Sequence, residues 1–147
     1  MAHLRTQIRT ALAARLAGLT TTGARVYTTQ LYPLEASSLP GLLIVTDGED
    51  IEAVSIGAPP VLARALNVRV VALVAAVSGH EATLDQIALE VETALAADRT
   101  LGALTKGAQL RGLRPAFDAE GGQPVGRMEM FYTFDYRAVE GAPQTAL

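Results

Sequence analysis

Leu62-Ala63-Arg64-Ala65-Leu66-Asn67-Val68-Arg69-Val70-Val71-Ala72-Leu73-Val74 is the stretch on which the fold class turns. Leu62, Leu66, Val68, Val70, Ala72 and Val74 share one side of an alternating pattern, interrupted by Arg64; Asn67, Arg69, Val71 and Leu73 share the other. Side chains of a strand point to opposite faces in turn, so this alternation predicts a long strand, roughly Leu62 to Val77, with one sheet face firmly buried. Just upstream, Leu42-Leu43-Ile44-Val45 and Ile51 to Ile56 flank Thr46-Asp47-Gly48-Glu49-Asp50. Asp-Gly between two strand-like runs predicts a β-hairpin, since both residues tolerate positive φ. Gly57-Ala58-Pro59-Pro60 then closes the hairpin and releases the chain into the long strand.

Further outward the period changes. Leu4, Ile8, Ala11, Leu12, Leu16 and Leu19 recur at helical spacing with Arg5, Arg9 and Arg15 off the stripe, predicting an amphipathic helix over 1–19 that ends near Gly18. A Thr-rich turn at Thr20 to Gly23 leads to a short strand through Arg25 to Thr28, and Tyr32-Pro33-Leu34 and Leu39-Pro40-Gly41 punctuate a loop. On the other side, Ser78-Gly79-His80-Glu81 has the S-x-x-E spacing of a capping box. It opens a helix over 79–97 with the stripe Leu84, Ile87, Ala88, Val91 and Leu95, and Asp98 near its end. Two strands finish the chain, Gln109 to Asp118 and Val125 to Val139, joined across Glu120-Gly121-Gly122-Gln123-Pro124. In the last one Met128, Met130, Tyr132, Phe134 and Tyr136 share a face against Arg127, Glu129, Thr133, Asp135 and Arg137, with Phe131 among the charges. Gly141 to Leu147 reads as an extended C-terminal tail. No repeat or linker divides the chain, so 1–147 is read as one α+β domain: a mainly antiparallel sheet with two amphipathic helices packed on one face, in two layers.

The composition narrows the chemistry. At 147 residues the chain can bury a core without staples, and with no Cys it has no disulfide, zinc-finger or thiol chemistry. Half the residues are hydrophobic, too many for a disordered chain, and no apolar run approaches the ~18 residues of a membrane helix. Met1-Ala2-His3-Leu4-Arg5 lacks a basic flank before an apolar stretch, so no signal peptide is expected. Twelve basic against fifteen acidic residues argue against a general nucleic-acid binder.

Few residues are arranged for catalysis. His3 and His80 have no partner at a metal-binding spacing. Ser55 in Ala53-Val54-Ser55-Ile56-Gly57 lacks the leading glycine and the strand-to-helix setting of a nucleophile elbow. Gly121-Gly122 is followed by no phosphate-loop lysine. Arg5 and Arg9, one helical turn apart, offer either an acidic-partner contact or a solvated face. The acidic group Asp47, Glu49, Asp50 and Glu52 lacks calcium-loop spacing; it is read as a solvated hairpin tip, with a docking or pore-lining element and a metal-hydrolase site as the alternatives. A chain of this kind is expected to bind or assemble and not to catalyse, and no cofactor or metal is expected.

Several segments, taken in order, carry a family resemblance. They are Thr22-Gly23-Ala24-Arg25-Val26-Tyr27, Leu39-Pro40-Gly41-Leu42-Leu43-Ile44-Val45-Thr46-Asp47, Ser55-Ile56-Gly57-Ala58-Pro59, Gln123-Pro124-Val125-Gly126 and Tyr136-Arg137-Ala138-Val139-Glu140-Gly141-Ala142-Pro143. Together they resemble the tail terminator proteins of long-tailed bacteriophages, the minor tail protein U class, with related prophage and gene-transfer-agent proteins. The resemblance implies a virion protein that forms a homo-oligomeric, hexameric ring on the end of the tail tube. That ring ends tube polymerisation and presents the surface joined by the head, through a connector or neck protein. DNA would pass through its pore and no membrane would be involved; synthesis would be in the host bacterial cytoplasm. The family's acidic pore character maps onto Asp47, Glu49, Asp50 and Glu52, and Pro143 and Leu147 in the tail are the expected contacts to a neighbouring subunit or the connector. A neck or head-closure protein and a small α+β ligand-binding domain are the competing readings.

Overall fold

In a computed structural model of the chain, residues 1–28, 39–118 and 124–147 are described. The order of elements is α1 (Leu4–Leu16), β1 (Val26–Tyr27), β2 (Gly41–Ala53), β3 (Val61–Ala75), α2 (His80–Ala97), β4 (Gly107–Asp118) and β5 (Val125–Val139). The strands form a five-stranded sheet in the order β1-β2-β3-β5-β4. Only the β1–β2 pairing is parallel; the other neighbours are antiparallel. The fold is therefore α+β with a mostly antiparallel sheet. The loop at Tyr32-Pro33-Leu34 and the turn residues Glu120-Gly121-Gly122-Gln123 lie outside the described residues.

The periodicities account for the packing. Leu4, Ile8, Leu12 and Leu16 of α1 and Leu84, Ile87, Ala88, Val91 and Leu95 of α2 are all buried. They share one cluster with Leu66, Val68, Val70, Ala72 and Val74 of β3 and Met128, Met130, Tyr132, Phe134 and Tyr136 of β5. Alternation places the remaining β3 residues on the opposite face. There Val71 and Leu73 join Leu43, Val45 and Val125 in a second, smaller buried cluster, with Tyr27 and Leu39 packed against it. The face that carries Arg69 and the charged side of β5 thus also holds a core of its own.

Three local expectations are corrected. The capping box does not form: the residue before α2 is Gly79, at φ +82°, with no side-chain cap. A left-handed residue at that point favours glycine, and the backbone it imposes replaces the serine cap. His80 Nδ1 instead lies 3.0 Å from the Val77 carbonyl oxygen. The Asp47-Gly48 hairpin is absent, as described below. The C-terminal tail is not extended: Leu4 N donates to Pro143 O at 2.8 Å, Gln7 Nε2 to Gln144 O at 2.9 Å and Leu147 N to Arg137 O at 3.1 Å. Ala146 packs on the main cluster. Orphan amides at the start of a helix need acceptors, and the folded-back tail supplies one to α1; His3 Nδ1 supplies another by accepting from Arg5 N at 3.0 Å.

Candidate functional site

β2 runs unbroken through the acidic group, and neither Asp47 nor Gly48 takes positive φ. Thr46 stands opposite Val68, and the next regular pair is Glu49 opposite Leu66. Two residues of β2, Asp47 and Gly48, against the single Asn67 of β3 make a β-bulge with one extra residue. A bulge lets the ladder resume instead of reversing the chain. The reversal comes later, across the residues between Ala53 and Val61, where Val54 N donates to Val61 O and Val61 N to Ser55 Oγ. The expected acidic hairpin tip is therefore the middle and end of a long strand, and the true hairpin arm is Val54-Ser55-Ile56-Gly57-Ala58-Pro59-Pro60.

The bulge also breaks the alternation, so residues two apart leave on opposite faces. Asp47 faces the side of Arg69, whose Nε and Nη2 donate to its carboxylate at 2.8 and 3.3 Å. Arg69 also lies 3.6 Å from Glu129, itself 3.8 Å from Arg127, giving a row of alternating charge. Glu49 turns to the main cluster. There it accepts from Tyr136 Oη at 2.6 Å and from Arg64 Nη1 at 3.0 Å, with side-chain exposures of 6% for Glu49 and 11% for Arg64. Arg64, the residue that interrupts the apolar side of β3, sits 6.0 Å from the centre of the Tyr136 ring. Burial, and then the bond to Glu49, push the Tyr136 hydroxyl well above its usual pKa. Burial also pushes Tyr132 up to about 12. Glu49 is a structural member of a buried triad, because a carboxylate carried inward requires charged and hydrogen-bonded partners.

Of the four acidic residues, Asp50 and Glu52 remain exposed, opposite Ala65 and Ala63. Among the described residues no three His, Cys, Asp or Glu side chains converge as a metal site would require. Arg5 and Arg9 do not form a free basic pair. Arg5 Nη2 donates to the Asp47 carbonyl at 3.0 Å and Arg9 Nη1 to Thr46 Oγ1 at 3.2 Å, tying α1 to the bulge. Pro143 is half-buried on α1, while Leu147 remains 49% exposed at the end of the folded-back tail.

Two features escaped the reading by residue type. One is a row of exposed apolar residues on the hairpin end of β2 and its arm: Ile51 (52%), Val54 (44%) and Ile56 (105%). The other is β4, which holds an edge of the sheet and exposes Leu110, Leu113 and Phe117. Their signal is an apolar residue where the fold supplies no cover, which only the strand order reveals. A shallow hollow of about 380 Å³ lies on the face opposite the main cluster, lined in part by Asn67, Arg111, Arg114, Phe131 and Thr133. Arg114 stacks 5.4 Å from the centre of the Phe131 ring, and Arg111 Nε donates to Thr133 Oγ1 at 3.3 Å. No helix among the described residues is long and apolar enough to cross a membrane. In comparison with known proteins, no family model matches the chain and no curated sequence matches it significantly.

Proposed function

We propose that this protein is the terminator of a long phage-like tail: a non-enzymatic ring subunit that caps the tail tube, stops its growth and offers the joining surface to a connector or neck protein. The reading rests first on the ordered resemblance from Thr22 to Pro143. The observation that carries it structurally is the pair of exposed apolar rows, on the β2 hairpin arm and on the β4 edge. A subunit in a cyclic ring needs two different surfaces, one for each neighbour, and exposed apolar side chains at two separate places on the sheet fit that need. The site of action would be the head-proximal end of the tail, with the tube protein and the connector as partners and DNA only as it passes through the pore. Asp50 and Glu52 are the acidic residues left to line or dock, since Glu49 is internal and Asp47 is paired.

The test is tail length. Electron microscopy of particles made without the protein should show tubes longer than normal and without heads, and supplying the protein in trans should restore joined tails of one length. Tails of normal length in its absence remove the terminator reading. Normal length without heads assigns the protein to the neck instead. The hollow beside Arg111 and Arg114 favours, as a second reading, a small-ligand domain; saturable binding of a small anion there, with normal tails in the absence of the protein, is its signature.

A further inference from the structure

Among the described residues both lateral edges of the sheet present unpaired strand. On β2, only Leu42 and Leu43 are paired on the outer side among the described residues, by β1. On β4 the outer side carries no strand among them. Unpaired edges are ready-made templates for another chain, and proteins normally blunt them. Here each edge carries a pair of charges, of opposite sign. Asp50 and Glu52 are exposed on the β2 end, and Arg111 and Arg114 are exposed on β4. None of these four makes an ion pair among the described residues.

The faces match as well. Ile51 pairs opposite Arg64, on the side of the main cluster, while Asp50 and Glu52 pair opposite Ala65 and Ala63 on the other side. On β4, Leu110 and Leu113 stand opposite Tyr132 and Met130 of the main cluster, while Arg114 stands opposite Glu129 on the other side. Each edge is therefore apolar on the cluster side and charged on the opposite side. Two copies set side by side with the same face forward bring apolar to apolar and acid to base. The strand directions agree too: β2, β3, β5 and β4 alternate, so β4 of one copy meets β2 of the next antiparallel, the more favourable ladder.

We propose that the β2 hairpin end of one copy docks on the β4 edge of a second copy, with Asp50 and Glu52 against Arg111 and Arg114 and with Ile51 against Leu110 and Leu113. The occupant of each edge is another molecule of this chain. The contact is head-to-tail, so it propagates and closes into a ring when the rotation allows. Its register is offset, because the ladder Asp50–Ala65–Asp135–Gly107 makes Asp50 level with the start of β4. Bringing Asp50 beside Arg114 requires a slide of about six residues, and closed sheets with strands tilted by about 40° stagger by roughly one residue per strand, about that offset over five strands. The inference deepens the ring reading and rests on it for closure, but the contact itself is independent of tails.

Charge reversal in two separate variants tests it. D50R/E52R carries two basic edges and R111E/R114E carries two acidic ones. The full chain at low salt should sediment as an oligomer, each variant should sediment as a monomer with an unchanged far-UV circular dichroism spectrum, and an equimolar mixture of the two should recover oligomers in which they alternate. The quadruple variant should assemble by itself. A wild-type chain that stays monomeric at all concentrations overturns the inference, as do variants that assemble like wild type or a folded mixture that fails to recover. Oligomers unaffected by reversal would leave the ring reading standing with a different interface, whereas normal-length tails in the absence of the protein would remove the terminator role without touching this contact.

Discussion

Leu42 to Val45 and Glu49 to Ala53 belong to one strand and both pair with β3, the first run also with β1 at Leu42 and Leu43; the first run is buried and the second, apart from Glu49, is open to solvent. The difference lies in what covers each half. Residues before the bulge lie under the two clusters, one on each face. Residues after it extend past that cover, and only Glu49 is drawn back in, by Arg64 and Tyr136. A strand's burial pattern is thus a property of its neighbours and not of its own residues. Ile44 and Ile51 show this directly, since the same side chain is 1% exposed in one half and 52% in the other.

That contrast sets the largest expected effect. Ile44→Ala should cost about 3 kcal/mol in denaturant unfolding, because the cavity it leaves is lined by packed core. Ile51→Ala should cost no more than about 0.5 kcal/mol in the monomer. Equal costs would mean that the second half of β2 is covered in solution.

Glu49→Ala should follow closely, at about 2–3 kcal/mol, since it strands a buried guanidinium and a tyrosine hydroxyl. Asp47→Ala, whose Arg69 partner is in reach of water, should cost under about 1 kcal/mol. The two acids stand two residues apart, and only the bulge makes them differ. A reversed order would place Asp47, not Glu49, at the centre of the buried network.

Truncation after Glu140 compares the tail with a loose terminus. Loss of the bonds to Leu4, Gln7 and Arg137, with the packing of Ala146, should lower unfolding stability by about 1–2 kcal/mol. An unchanged Tm would mean that the tail is free in solution and available to a partner, as an extended tail would be.

The smallest effect is a pH-dependent one, at the staple between α2 and the turn after α1. Burial works against the charge on Glu90, but hydrogen bonds from the Thr21 hydroxyl and amide and from Gln86 hold its pKa below the usual 4.5. A folded value below the unfolded one contributes stability above about pH 4.5 and loses it as pH falls through the folded value. Solvent screens a carboxylate that is only partly buried, so Glu90→Gln should cost no more than about 0.3 kcal/mol at pH 7 and progressively less toward pH 3. A difference that stayed constant with pH would assign the effect to shape and not to charge.

Much of the architecture could be read from the residues. Both helical stripes, the two faces of β3 and the bounds of β5 follow from periodicity, because apolar spacing reports directly which way side chains point in a regular element. The α+β class follows from the order of those elements. The Asp47-Gly48 hairpin, the Ser78 capping box and the extended tail were misread because each depends on a competition that local sequence does not contain. Asp-Gly permits a turn, but β3 offered enough ladder beyond it to carry β2 through as a bulge. Ser78 permits a cap, but Gly79 in a left-handed conformation turned the chain into α2 by another route. The tail lacks periodicity, yet α1 had unsatisfied amides within its reach.

The candidate site divides in the same way. The acidic group stands out from the residues alone, since charge is visible one residue at a time. Which acids remain outside is set by the folded sheet. It buried Glu49 in a triad with residues 15 and 87 positions away, paired Asp47 with Arg69, and left Asp50 and Glu52 at an open edge. It also placed exposed leucines and arginines on β4 at the opposite edge. The physical reason is that burial and strand order are cooperative: a side chain's partners are set by which strand lies beside it, and that is fixed by the summed packing of the whole sheet, not by any window of neighbouring residues.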